Sequence, residues 1–247
     1  MNHIDWEKHH HPSGAVEANG TVTVSGTGDV GPVGTDGARG VERTLAGLPF
    51  ALLILIVVAV RFAGDRRRAT PTTRGTLAAK ALVVGGVTFV TGLVAVGIVI
   101  PMGSAMLTRN GIAVTPISAL TGVRVVAGVA AALALATVTA FAIGAVLRRG
   151  RIAATVAIAL IAVPYAVAAL PLVPDALADW LLRVTPAAGF AAQQTMVEYP
   201  QVVAHYAPSA GYLPLAWWAG LAVMCTNALV FMTLALRRGE SDTRDWR

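Results

Sequence analysis

Five long apolar runs without a single Asp or Glu dominate this chain of 247 residues. They are Leu45 to Val60, Lys80 to Ile100, Val123 to Leu147, Ile152 to Leu172 and Leu215 to Leu236. A helix needs about 20 apolar residues to cross a hydrocarbon core of about 30 Å, with about 17 to 25 tolerated. The last four runs meet this length, and the first meets it when Thr44 and Phe62 are included. The sequence therefore predicts an all-α integral membrane protein with five transmembrane helices.

The composition agrees with this class and argues against an ordinary soluble domain. Hydrophobic residues make up 55% of the chain and charged residues 13%, whereas about 25% of residues are charged in a typical soluble domain. A formal charge of +6 in a soluble protein would suggest nucleic acid. Here the cations lie in loops between apolar runs. We therefore expect a multi-pass protein of the cell membrane. Its expected partner is the lipid bilayer, and no nucleic-acid partner is expected.

The distribution of cations among the loops predicts the orientation. Of the 19 Lys and Arg residues, 13 follow the first, third and last runs, and six lie in the remaining segments. The loop after the first run alone holds Arg61, Arg66, Arg67, Arg68, Arg74 and Lys80. Loops rich in Lys and Arg stay on the cytoplasmic side. The N-terminus is therefore predicted outside and the C-terminus in the cytoplasm.

Three regions follow from these patterns. Residues 1–44 form a polar, Gly- and Thr-rich extracytoplasmic segment, mobile or at most a weak hairpin near Thr21 to Ser25. Residues 45–236 form the transmembrane domain, and residues 237–247 form a cytoplasmic tail. Within the domain the spans are predicted at about 45–62, 80–100, 123–147, 152–172 and 215–236, with a loop from Pro101 to Gly122.

The loop before the last span has a pattern of its own. Pro174 and Asp175 followed by Ala176 to Leu182 predict a short amphipathic helix, and external short helices are expected at about 175–194. Trp180 is placed where an interfacial aromatic anchors a helix at the membrane surface.

Common catalytic motifs are absent from the sequence. A nucleotide-binding P-loop ends in Gly-Lys followed by Ser or Thr, but the two lysines, Lys8 and Lys80, follow Glu and Ala. Nucleophile-elbow and zinc-protease signatures are also missing. We therefore predict a protein that is not an enzyme, with no metal site and no cofactor of its own.

Polar and small residues within the spans allow two interpretations. Thr88, Thr91 and Asn227 are candidates either for hydrogen bonds between helices or for a transport pathway, and the first is favoured. Asn227 is the residue for which a role in a transport pathway is most expected. Glycines such as Gly92 and Gly144 favour close helix packing, with a moving interface as the alternative.

Several stretches resemble the permease subunits of ABC-2 type transporters. The segment PTTRGTLAAK (residues 71–80) leads directly into a span rich in Gly and Val, and IGAVLRR (residues 143–149) is similar to the turn between the family's middle spans. LLRVTPAAG (residues 181–189) and the final Leu236-Arg237-Arg238 are also similar. The likeness covers roughly residues 45 to 240, and it implies a six-span permease-like fold lacking the first span.

The resemblance also implies partners and a role. Two permease subunits, identical or different, would work with ABC ATPase subunits that bind ATP, and export an amphipathic or drug-like substrate. The residues at the positions that contact the ATPase are Arg66, Arg67, Arg68, Pro71, Arg74, Leu77 and Lys80. The alternative is a membrane anchor or assembly protein that recruits a soluble partner through the same basic loop.

Overall fold

The computed structural model describes eight stretches of the chain, and their secondary structure is mainly helical. They are residues 15–18, 21–24, 40–64, 74–112, 114–147, 149–170, 172–195 and 212–244. Strands β1 (Ala15–Ala18) and β2 (Thr21–Val24) pair antiparallel, with Ala18 opposite Thr21. The remaining described elements are helices, which confirms the helical class predicted for the apolar part of the chain.

Seven α-helices and two 3-10 helices follow the hairpin in the described residues. The first 3-10 helix (Val41–Leu45) precedes α1 (Leu48–Gly64), α2 (Arg74–Arg109), α3 (Ala119–Leu147), α4 (Gly150–Ile161), α5 (Val163–Ala169), α6 (Asp175–Val184), the second 3-10 helix (Pro186–Gln193) and α7 (Trp217–Arg244). Four stretches are long and apolar enough to cross a membrane, namely α2, α3, α4 with α5, and residues Trp217–Arg238 of α7. Helix α1 is also apolar but has only 17 residues.

Two of the differences between the predicted and the observed helices occur near a proline. Helix α2 continues through Pro101 to Arg109, where a loop is predicted. A proline removes one intrahelical hydrogen bond, and membrane helices tolerate this loss because neighbouring groups compensate. The fourth span is interrupted between α4 and α5, since Pro164 has no N–H to donate to the carbonyl four residues earlier.

Helix α3 is the centre of the bundle. Helices α1, α2, α4 and α7 and the second 3-10 helix all pack against it. In its most apolar stretch 61% of the residues are buried, against 22–28% in the other three long stretches. Its sequence is mostly Ala, Val, Leu, Gly and Thr, with Phe141 as its single aromatic residue. Small side chains on every face let several neighbours approach closely at once.

Glycines mark the closest of these contacts. A Cβ added at Gly92 of α2 would lie 3.1 Å from the α3 backbone, and one at Gly144 of α3 would lie 3.2 Å from the α1 backbone. At Gly128 an added Cβ would lie 3.2 Å from the second 3-10 helix. Gly86 and Gly97, in contrast, have open space around them. Close packing therefore explains Gly92, Gly128 and Gly144, but not the two glycines on the exposed face of α2.

Contacts near the helix ends establish the relative directions. Val60, near the end of α1, lies beside Gly144, near the end of α3. Arg238 Nη1 of α7 donates a hydrogen bond to Val146 O of α3 at 2.8 Å. Helices α1, α3 and α7 therefore come together at their C-terminal parts. The starts of α2 and α4 lie at the same end, because short connections join them to the ends of α1 and α3.

Candidate functional site

Cations gather at this shared end of the bundle, which we call the basic end. Its described cations are Arg61, Arg74, Lys80, Arg149, Arg151, Arg237 and Arg238, all exposed. Only two carboxylates have described side chains, Glu42 and Asp179, and both belong to elements at the opposite end. Among the described side chains, the basic end is therefore a region of one charge sign, which attracts anionic partners.

The start of α2 carries three of the residues predicted to contact an ATPase. Arg74 is the first residue of the helix and Lys80 lies about 9 Å further along its axis, at about 1.5 Å per residue. Leu77 lies between them and is only 9% exposed. At about 100° per residue, each cation is about 60° to one side of Leu77. The leucine therefore holds the first turns against the bundle, while a cation stands exposed on each side.

The other predicted contact residues lie outside the described part of the chain. They are Arg66, Arg67, Arg68 and Pro71. Arg74, Leu77 and Lys80 lie together at the start of α2, and contact with an ATPase stays a prediction for all seven residues.

Polar side chains within the spans bond mainly along their own helices. Asn227 is half-buried, and its Nδ2 donates to Val223 O at 2.9 Å. Thr137 and Thr139 of α3 donate to carbonyls four residues earlier, at 2.7 and 2.8 Å. Each threonine hydroxyl thereby uses its single donor within its own helix, whereas the Asn227 amide has a second N–H and a carbonyl oxygen. Hydrogen bonding between helices stays the favoured prediction for Thr88, Thr91 and Asn227.

The candidate pathway residues do not form one surface. Thr88 is 7% exposed and belongs to the buried side of α2. Thr91, three residues later, is exposed, and Asn227 lies on a different helix, α7. No shared polar channel is therefore built from these three residues.

The opposite end of the bundle is filled by the second 3-10 helix. All eight of its residues are buried, although the sequence places them among external short helices. A Cβ added at Gly220 of α7 would lie 2.2 Å from Ala188 O, and one at Gly128 of α3 would lie 3.2 Å from the Ala192 Cβ. The second 3-10 helix is therefore packed closely against both α3 and α7.

Arg124 holds the end of the second 3-10 helix. Its Nη2 donates to Gln194 O at 2.7 Å, and its guanidinium carbon lies 5.7 Å from the centroid of the Trp217 ring. Gln194 Oε1 in turn accepts a hydrogen bond from Leu213 N at 2.8 Å. One arginine of α3 thus connects the end of the 3-10 helix with the start of α7.

Further polar contacts tie the neighbouring residues to other elements. Thr195 Oγ1 donates to Glu42 Oε2 at 2.5 Å, which joins this segment to the first 3-10 helix. The side chains of Gln193 and Tyr165 share a hydrogen bond, and the Tyr165 ring stacks on Phe190 with centroids 3.9 Å apart. We call Gln193, Gln194 and Thr195 with these partners the polar clasp, because three consecutive residues connect the surrounding elements.

Substituting Arg124 tests the polar clasp. Arg124→Met keeps the apolar stem but removes the bond to Gln194 and the cation–π contact, worth roughly 1–3 kcal/mol together. We expect a lower midpoint of thermal unfolding in detergent. The matched control is Arg109→Met, because Arg109 is exposed at the end of α2. Equal midpoints for the two variants would contradict a stabilising role for the clasp.

A small apolar cavity lies between α1, α3, α7 and the second 3-10 helix. It has a volume of about 10 Å³ and is lined by side chains that include Leu48, Leu52, Leu133, Phe190 and Met224. Pockets for organic ligands are typically about 300–1,000 Å³. This cavity therefore has room for roughly one water molecule and not for a transported substrate in the conformation described.

The polar clasp is not predicted from the sequence. The signal for it in the sequence is two adjacent amides, Gln193 and Gln194, next to a run of small apolar residues. Arg124 lies just inside the predicted third span and is interpreted there only as a cation at its outer boundary. Comparison with protein-family models, curated proteins and solved structures found no match to the chain. Function is therefore inferred from the residues of the chain itself.

Proposed function

We propose that this chain is the membrane-spanning permease subunit of an ABC-2 type exporter, moving an amphipathic or drug-like substrate with energy from a separate ATPase subunit. The observation that carries the proposal is the start of α2, where exposed Arg74 and Lys80 flank the buried Leu77. A partner that moves these first turns moves a continuous helix of 36 residues. A displacement of the soluble subunit is thereby transmitted along α2 into the interior of the bundle.

The proposed topology has five spans, an external N-terminus and a cytoplasmic C-terminus. Its support is the basic end, where the described cations of α1, α2, α4 and α7 gather. Helix α1 is the shortest of the five, at about 26 Å for 17 residues. A span slightly shorter than the hydrocarbon core is accommodated by local thinning of the bilayer.

The proposed assembly contains two permease subunits and ATPase subunits that carry the bound ATP. The exposed cations at the start of α2 are complementary to an acidic surface, and such complementarity favours association and sets its orientation. The apolar faces of α2 and α7, with Leu82 and Leu229 strongly exposed, are available to lipid or to the second permease subunit.

The second candidate function is a membrane anchor that recruits a soluble partner without transport. The observation that favours it is the closely packed interior. Helix α3 is buried along most of its apolar length, and the apolar cavity beside it has a volume of only about 10 Å³. An anchor needs the basic end but no passage through the bundle.

Purification of the chain from its native host in mild detergent, followed by mass spectrometry, tests the proposal. An ABC ATPase recovered in near-equal amount supports the permease. Recovery alone, or with a partner that is not an ATPase, would overturn it and favour the anchor. Substrate-dependent ATP hydrolysis by the reconstituted complex then separates a working exporter from an anchored ATPase.

A further inference from the structure

We propose that the basic end binds the phosphate of an anionic phospholipid through Arg149, Arg151 and Arg237. The site lies around the end of α3, at the same end of the bundle as the start of α2. It requires a bilayer around the bundle but no ATPase, so it does not rest on the proposed transport function.

The first argument is proximity. Arg238 Nη1 bonds to Val146 O at 2.8 Å, so the α7 backbone at Arg237 and Arg238 lies near the end of α3. Arg149 follows Val146 by three residues, which limits the distance between their backbones to about 11 Å. Arg151 lies in the first turn of α4. Cations from the start of α4 and from α7 therefore lie near the last turn of α3.

The second argument is depth. Ile152, directly after Arg151, is 47% exposed, and Leu234, three residues before Arg237, is 45% exposed. Exposed apolar side chains on long apolar helices face the lipid tails, and cations at the edge of such a surface extend to the headgroups. The three arginines therefore lie at the level of the lipid phosphates.

The third argument is chemical fit. A guanidinium binds phosphate through two parallel hydrogen bonds, and basic pockets between transmembrane helices bind anionic headgroups. The described carboxylates, Glu42 and Asp179, belong to elements at the opposite end. A negatively charged phospholipid is preferred over a zwitterionic one, because the choline of phosphatidylcholine adds a positive charge beside these cations.

Native mass spectrometry of the full chain, titrated in detergent with phosphatidylglycerol or phosphatidylcholine, tests the site. We expect tighter binding of phosphatidylglycerol. The variant R149Q/R151Q/R237Q should lose this preference, with about a fivefold weaker affinity per cation and on the order of a hundredfold for all three. Higher salt should weaken the binding to the unmodified chain.

Two control variants accompany this test. R109Q/R183Q removes two exposed cations from elements at the opposite end and should keep the preference for phosphatidylglycerol. R149K/R151K/R237K keeps the charges and should retain most of the preference, which separates loss of charge from misfolding.

Several outcomes would overturn the lipid site. These are equal binding of the two lipids, equal losses in the Gln triple variant and the R109Q/R183Q control, or complete displacement of phosphatidylglycerol by millimolar inorganic phosphate. A triple variant that loses its ATPase but still prefers phosphatidylglycerol would assign these arginines to a protein partner. Absence of an ATPase alone would leave the lipid site intact and remove only the transport proposal.

Discussion

Charge reversal at the start of α2, in Arg74→Glu/Lys80→Glu, is expected to release the ATPase subunit while the bundle stays folded. Both side chains are exposed, so the variant should leave the packing around Leu77 unchanged. Against an acidic partner surface, two reversed charges turn attraction into repulsion of several kcal/mol. The expected result is a loss of affinity of more than about a hundredfold, measured as the ATPase recovered with the purified chain.

The matched control reverses two cations at elements of the opposite end, in Arg109→Glu/Arg183→Glu. Both residues are exposed, so this control changes the net charge by the same amount. We expect normal recovery of the ATPase. Recovery that is equally reduced in both variants would show a nonspecific charge effect, and undiminished recovery with Arg74→Glu/Lys80→Glu would reject the contact at α2.

A single methyl group at Gly220 should strongly destabilise the bundle. In Gly220→Ala the added Cβ would lie 2.2 Å from Ala188 O, a backbone atom of the second 3-10 helix. Relief requires α7 and that helix to separate, because a backbone carbonyl cannot rotate away like a side chain. Overpacking of this kind costs typically about 1–3 kcal/mol. The expected result is a clearly lower midpoint of thermal unfolding in detergent.

The control for this substitution is Gly86→Ala on α2. Gly86 also lies within a long apolar helix, but an added Cβ there meets no atom within 4 Å. Ala is favoured over Gly in a helix by up to about 1 kcal/mol, so an unchanged or higher midpoint is expected. If Gly220→Ala were as stable as Gly86→Ala, the second 3-10 helix would not be wedged tightly against α7.

The prediction of long apolar helical stretches is confirmed for four of the five runs, and the physical reason is local. In lipid, a run of about twenty apolar residues can pair its backbone N–H and C=O groups within itself only by forming a helix. That property can be counted in the sequence without knowing any neighbour. Helix α1 is the exception, because its 17 residues lie at the lower limit of length and its role as a span is a proposal.

Helix boundaries were less predictable because a proline has different effects in different surroundings. At Pro101 the helix continues to Arg109, whereas near Pro164 the chain divides into α4 and α5. The same missing N–H is tolerated in one place and ends a helix in the other. The difference depends on how the groups around each proline are packed, and residue type does not reveal that.

The candidate site also has one part that the sequence predicts and one part that it does not. The cations at the start of α2 were recognised from the order of residues, since an excess of Lys and Arg beside an apolar run is a property of one segment. The polar clasp was not recognised. It joins Arg124 to Gln194 across 70 residues and Thr195 to Glu42 across 153, and no periodicity records such pairs.

The order of amino acids predicts a helical membrane protein, its long apolar stretches and the cations beside them. These features depend on how single residues are solvated, so they can be deduced without knowing any neighbour. Pairing between distant segments accounts for the rest. It places α3 at the centre of the bundle, buries the second 3-10 helix between α3 and α7, and brings Arg238 to the end of α3. Apolar helices have many partners of equal hydrophobicity in a membrane, so the choice among them depends on the fit of small residues such as Gly128 and Gly220 in three dimensions.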